Sequence, residues 1–342
     1  MHQVVDAHND LLVELAFRSG EPDPFANYWQ EPLREGLIKI QVCPISAQWE
    51  VLPEGALRQG LEQTLAFYRA VNEHPSELAF VKTKQDLDAA WSSDRVGLIL
   101  SMEGAEPLGY SPDLADIFWE LGFRMFALTW NRRNPFADGN GEPPAGGLSK
   151  LGVKLVDRLV GLGAMIDLAH ANEQTFADVL ERTAGAHVMV SHAACRALCE
   201  TPRNLTDDQL RALVDAGGIL GVMSIPWVID AENPSVERVA DHVEHAVEVM
   251  GIDHVALGGD FFHQVALSGA VRKPPDSVRP AGMGMEVGID DLEGPEHYPN
   301  LIEALEKRGY AGDALAALLG TNWLRFFSNA LPSAEVEATG PE

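Results

Sequence analysis

The sequence predicts an α/β protein folded as a single (β/α)8 TIM-like barrel, on three observations. Eight short β-rich runs recur along the 342 residues. Helical stretches stand between most of them, the alternation of a closed parallel barrel. No Gly-rich phosphate turn follows the first run, which argues against a doubly wound nucleotide-binding sheet.

The expected strands are 3–7, 38–45, 96–102, 124–129, 164–168, 187–190, 219–224 and 254–257. The second has an apolar residue at nearly every other place. Helices are expected over 56–72, 111–121, 150–162, 173–182, 206–216 and 235–250, where apolar residues recur three and four apart. Thr206-Asp207-Asp208-Gln209 reads as a capping box, and Gly217-Gly218 as the stop of the same helix. The Leu-rich run 309–319 reads as a core helix continued by 322–327. Three long loops, 18–36, 131–147 and 262–295, follow strands one, four and eight. They lie on the face where a barrel keeps its active site, and long loops in a compact domain are usually functional. No linker or internal repeat divides the chain. The expected organisation is a barrel over 1–330 and a polar, frayed tail over 331–342.

Charge and composition exclude several classes. Fifty-one Asp and Glu against 25 Lys and Arg leave a formal charge of −26, a field that repels nucleic acid. Cys43, Cys195 and Cys199 are an odd, irregular set, so they predict no disulfide framework. No apolar run approaches the ~20 residues of a membrane span. Residues 1–6 lack the features of a signal peptide. A soluble, cytoplasmic protein is expected, with no membrane or nucleic-acid partner.

Polar residues fall at the expected strand ends. His8 and Asp10 follow strand one, two apart, so in extended chain they face one point. Glu103 closes strand three, His170 strand five, His192 strand six and Asp260 strand eight. Any one of these has an ordinary structural explanation. Six in one register do not, because buried charge is costly unless paired or metal-bound. Three imidazoles with carboxylates suit Zn2+ and exceed the needs of one tetrahedral ion. Glu103 would bridge two ions, with His8 and Asp10 on one and His170 and His192 on the other. His242 and His245, three apart on a helix, read as a packed or exposed face.

Together these motifs resemble the membrane (renal) dipeptidase family of metallopeptidases, within the amidohydrolase superfamily. The likeness is carried by Asp6-Ala7-His8-Asn9-Asp10, Glu103-Gly104, Leu128-Thr129 with Pro135 and Ala137-Asp138, Ile166-Asp167-Leu168-Ala169-His170, Ser191-His192, Arg203-Asn204, Ala240-Asp241-His242, Gly258-Gly259-Asp260-Phe261 and Asn322-Trp323-Leu324-Arg325. The resemblance implies two zinc ions held by His8, Asp10, Glu103, His170 and His192, bridged by Glu103 and a hydroxide. It implies that Arg203 binds substrate, that Asp260 moves protons, and that the chain is a homodimer. Hydroxide attack on the peptide carbonyl of a dipeptide would follow, with L-Xaa-D-Xaa among the substrates. Arg203 would grip the substrate carboxylate. The better-known animal members carry a histidine where this chain has Trp130, so Trp130 and its neighbour Asn131, or Arg132, are expected to make the substrate contact instead. Phe262-His263 stands where relatives often have Asp-Gly. The alternative keeps barrel and metals but changes the substrate to an N-acyl amino acid, a lactone or another small amide.

Overall fold

Nine parallel strands form the sheet in the computed structural model, which describes residues 2–143, 146–273, 283–284 and 288–333. They are β1 (Val4–Asp6), β2 (Ile38–Ser46), β3 (Leu78–Phe80), β4 (Val96–Glu103), β5 (Phe123–Ala127), β6 (Met165–Asp167), β7 (Val188–Ala193), β8 (Leu220–Val222) and β9 (Val255–Leu257). Eight of them close a ring in chain order: β1 pairs β2, β2 pairs β4, and pairing continues through β9 back to β1. The barrel is therefore as predicted from sequence.

The ninth strand is not. β3 pairs only with the first three residues of β4, Val96 to Leu98, whereas β5 pairs β4 from Leu100 onward. It is an outer addition to the ring. The helix after it, Lys84–Trp91, was also unforeseen. It begins with a capping box in which Thr83 and Asp86 satisfy each other's backbone N–H groups.

The six expected helices are present, as Ala56–Glu73, Leu114–Glu120, Lys150–Leu162, Glu173–Arg182, Asp207–Asp215 and Val236–Met250. Four have a side-chain N-cap: Ser149, Asn172, Thr206 and Ser235 each accept from a first-turn N–H. The loop after β1 folds into two short helices, Pro24–Tyr28 and Gln30–Glu35. The Leu-rich run near the C-terminus is a short helix, Gly312–Ala316, then a π turn, Ala317–Thr321, then Asn322–Ala330.

Two apolar layers follow from the strand period of two. Val5, Ile40, Ile99, Met125, Met165, Met189 and Ala256 fill the interior, and Trp323 and Phe327 join them. Val4, Leu98, Leu100, Phe126, Ile166, Val188 and Val190 pack outward under the helices. Asn322 fastens the last helix by donating to the Ile252 and Val255 carbonyls where β9 begins. Leu331 is buried and the Pro332 carbonyl accepts from Lys84 N, so packed chain continues to there. The rest of the expected tail, 334–342, lies outside the described residues. No described helix is long and apolar enough to cross a membrane.

Candidate metal centre

Strand ends deliver the six acidic and imidazole groups to one place. Glu103 is the last residue of β4 and His192 the fifth of β7. His8, Asp10, His170 and Asp260 lie just beyond β1, β6 and β9. The Glu103 carboxylate is central. Its Oε1 lies 3.0 Å from His170 Nε2 and 3.5 Å from the Nε2 atoms of both His8 and His192. Asp260 Oδ1 is 3.9 Å from His8 Nε2. One donor atom each from His8, Glu103 and His192, and again from His8, Asp10 and Asp260, fall within 4.8 Å of one another. All five sequence-predicted ligands are thus brought together, and Asp260 joins them.

Two backbone positions show what this gathering costs. His170 and Asp260 have φ of 63° and 53°, the left-handed region that β-carbon-bearing residues avoid. Such strain persists where surrounding structure over-determines it, typically at functional sites. Asp260 N is held by the His8 carbonyl at 3.0 Å, which ties the end of β9 to the end of β1.

Hydrogen bonds to the far ring nitrogens fix the imidazoles. His170 Nδ1 lies 2.6 Å from Asn131 Oδ1, an acceptor, so Nδ1 carries the proton and Nε2 a lone pair. Ser191 Oγ donates to Asp167 Oδ2 and lies 2.7 Å from His192 Nδ1. Its hydroxyl proton is spent, so it accepts from His192 Nδ1–H and that Nε2 is bare as well. Two bare nitrogens then face each other at 2.9 Å beside a carboxylate oxygen, with neither ring offering the other a proton. His8 Nε2 and Asp10 Oδ1 are buried without a hydrogen-bond partner. A cation satisfies all of these atoms at once, so the residues fit a metal centre.

Electrostatics give the same answer. Burial pushes the Asp10 carboxyl up to about 7. Burial, then Asp10 and Asp260, raises Glu103, and burial with Asp10 raises Asp260 against the pull of Arg203. Burial first, then Arg203, drives His8 down to about 3. Burial also lowers His170 and His192. Carboxylates that resist ionising and imidazoles that resist protonation share one pocket, and divalent charge relieves both.

Supporting residues that sequence reasoning missed form two matching ties. Asp6 Oδ1 accepts from His8 N and from Gly259 N across the β1–β9 seam. Asp167 Oδ1 accepts from Ala169 N and from Ser191 N across β6–β7. Each carboxylate fixes the backbone that presents a ligand. Their signal was in the chain, an aspartate two or three places before His8 and His170. Asn131 belongs with them. Expected to contact substrate, it lines the cleft and also engages His170 through its side-chain oxygen. Arg132, weighed as a substitute, is paired with Glu106 at 3.3 Å and donates to the Ala47 carbonyl.

The cleft above the donors is open to substrate. A lobe of about 290 Å³ is lined by Asp10, Glu103, Trp130, His170, Arg203, Trp227 and others. Arg203 is buried and donates through Nη2 to the His192 carbonyl, with His170 Nε2 at 3.2 Å. Asp260, Glu103 and Asp167 counter its charge. Trp130 stands beside the metal layer, its ring 6.0 Å from that of His170. His242 is a satisfied core residue: its Nδ1 accepts from Cys195 N and its Nε2 faces the Ile229 carbonyl.

The comparisons agree with this construction. A family model described as membrane dipeptidase, peptidase family M19, matches residues 1–269. The chain is 30% identical over 301 residues to dipeptidase verJ of Clonostachys rogersoniana, covering 87% of this chain and 71% of that one. It is 32% identical over 345 residues to dipeptidase aclJ of Aspergillus oryzae, covering 94% and 76%. A metallo peptidase of Rhodobacter sphaeroides, solved with a phosphinate mimic of L-Ala-D-Ala, shares the fold with a TM-score of 0.81 at 22% identity, over 96% and 99% of the chains. With a family match over most of its length, the chain belongs to the membrane dipeptidase family, peptidase family M19, and is a metallo-dipeptidase.

Proposed function

We propose that this protein hydrolyses dipeptides, L-Xaa-D-Xaa among them, with two zinc ions bridged by Glu103. The observation that carries the reading is the pair of bare Nε2 atoms of His170 and His192, 2.9 Å apart, with Glu103 Oε1 3.0 Å from the first. His8 and Asp10 would hold one ion, His170 and His192 the other. The ions, when bound, polarise the peptide carbonyl and acidify water to a nucleophile near neutral pH.

The chain's own side chains do the rest. Arg203, the one guanidinium buried against the donors among the described residues lining the cleft, offers parallel N–H groups to the substrate carboxylate. Asp260 stands at the edge of the donor cluster with 13% of its side chain exposed, where it reaches both substrate and solvent. It takes the proton of the attacking water and returns it to the leaving amine. Trp130 offers one N–H donor and no base, so it walls the cleft rather than exchanging protons.

A second reading is an N-acyl amino acid amidohydrolase. It draws on the smaller lobe of the cleft, where Asp10 and Glu103 are the carboxylates among the described lining residues. Once those bind metal, little there selects a free ammonium. The same proposal includes a cytoplasmic home, supported by three cysteines that form no disulfide, and a homodimer, to be weighed by sedimentation.

The test is metal content by elemental analysis, followed by hydrolysis of L-Ala-D-Ala, L-Ala-L-Ala and N-acetyl-D-Ala by chelated and zinc-restored protein. Two zinc per chain and zinc-dependent cleavage of the dipeptides support the reading. Cleavage of the N-acetyl compound alone replaces it with the second. Full activity in chelated, metal-free protein overturns both.

A further inference from the structure

We infer that the cleft selects dipeptides with a bulky apolar C-terminal residue and a small N-terminal residue, an inference that rests on the dipeptidase reading above. The space over the metal centre is two lobes of unequal size, about 290 and 100 Å³. Asp10 and Glu103 line both. A peptide bond positioned over these donors therefore sends one residue of the dipeptide into each lobe.

Charge sets the direction. Arg203 lines the larger lobe and not the smaller. A terminal carboxylate is drawn to that guanidinium, so the C-terminal half of the substrate enters the larger lobe. One wall of that lobe is apolar: Met223, Ile225, Trp227 and Ala266 line it and are absent from the smaller one, while Arg272 and Lys273 add positive charge elsewhere on its rim. Trp227 and Ile225 are 8% and 9% exposed, so their packing holds the wall in place. An apolar side chain entering there exchanges water for hydrocarbon contact.

The smaller lobe is also largely apolar but more tightly walled. Ser46, Gln48 and Trp49 line it and not the larger lobe, and so does Arg132. Arg132 is immobilised by Glu106 and the Ala47 carbonyl, and its guanidinium lies 5.3 Å from the Trp130 ring. Trp49 is tethered through its indole N–H to the Arg272 carbonyl at 3.3 Å. These bulky walls enclose about a third of the volume of the larger lobe, so a large side chain is accommodated less readily here than there.

Adding methylenes to a matched apolar pocket changes kcat/KM by roughly tenfold or more. We therefore expect kcat/KM for Ala-Leu and Ala-Phe to exceed that for Leu-Ala and Phe-Ala by at least about tenfold, with each measured as both C-terminal diastereomers. Two variants move the ratio in opposite ways. Ala266→Phe fills the larger lobe and lowers the Ala-Phe to Ala-Ala ratio. Trp49→Ala, at a half-buried site, opens the smaller lobe and raises Phe-Ala relative to Ala-Ala. Circular dichroism confirms that both variants fold. Equal or reversed preference in an enzyme that cleaves Ala-Ala overturns the inference alone, as do variants that leave the ratios unmoved. Failure of zinc-loaded protein to cleave any dipeptide, Ala-Ala included, overturns the dipeptidase reading and the inference with it.

Discussion

Single atoms decide most of the chemistry. The Ser191 hydroxyl shows this, since its one proton goes to Asp167 and so the His192 ring must present a bare nitrogen inward. Ser191→Ala removes that constraint without touching a ligand. The expected result is a fall of about 10–100-fold in zinc affinity with the fold intact, measured by competition with a chelator. Asp260→Asn keeps the shape and removes the base. It should lower kcat by about 10²–10⁴-fold while zinc content stays near that of the parent protein, read by elemental analysis beside steady-state kinetics. The gathering of these donors was legible in the sequence because each sits at or just beyond a strand end. The bond from Asn131 to His170 was not foreseen, since it depends on the distance to a residue thirty-nine positions away in the chain. No spacing along the sequence encodes that distance.

Elements place those atoms, and β7, β8 and β9 pack closely. A β-carbon on Gly221 or Gly258 would lie 2.0 or 1.8 Å from the Ser191 carbonyl oxygen. Gly258→Ala must therefore push β7 outward, and with it His192. We expect a loss of roughly 2–4 kcal/mol in urea denaturation, accompanied by reduced zinc occupancy. The helix Val236–Met250 offers a pH test at a histidine outside the donor cluster. Burial holds the His242 ring down at about 4, so it stays neutral in the fold. Its folded value lies below its unfolded value near 6.5, so the unfolded chain takes up the proton first. This residue's contribution to stability is complete above about pH 6.5 and is lost as pH falls toward 4. NMR of the His242 ring should show no titration between pH 8 and 5, and a midpoint near 6.5 would refute the assignment. Six helices were legible from their apolar period, one of them also from its capping box, whereas Lys84–Trp91 was missed despite a capping box of its own. β3 was not, because Leu78-Ala79-Phe80 is three residues without alternation, and its partner is the early part of a strand already paired elsewhere. Tertiary pairing makes it a strand, not local preference.

Across the molecule, metal and fold are linked. Buried donors that resist both charge states gain their partner only in the loaded protein, so chelation should lower the melting temperature. Each site held at a hundredfold excess over its Kd contributes about 2.7 kcal/mol, which corresponds to several degrees for a chain of this size. Differential scanning fluorimetry with and without chelator measures it, and an unchanged midpoint would show that the donors are not coupled to stability. The barrel itself was legible because eight runs and a ring have one economical arrangement. The unequal lobes were not, because Trp49, Arg203 and Trp227 come from separate loops whose meeting is set by the ring as a whole.

The join between β1 and β9 has a consequence for how the chain tolerates change. Only one residue pair, Asp6 with Leu257, registers those two strands, and the Asp6 carboxylate adds a bond to Gly259 N just above it. The first and last staves of the cylinder are thus clasped partly by a side chain that also holds the His8 backbone. Heritable change at Asp6 would spring the hoop and loosen His8 together, so its damage would join a folding defect, eased by cold or by osmolytes, to weaker zinc binding.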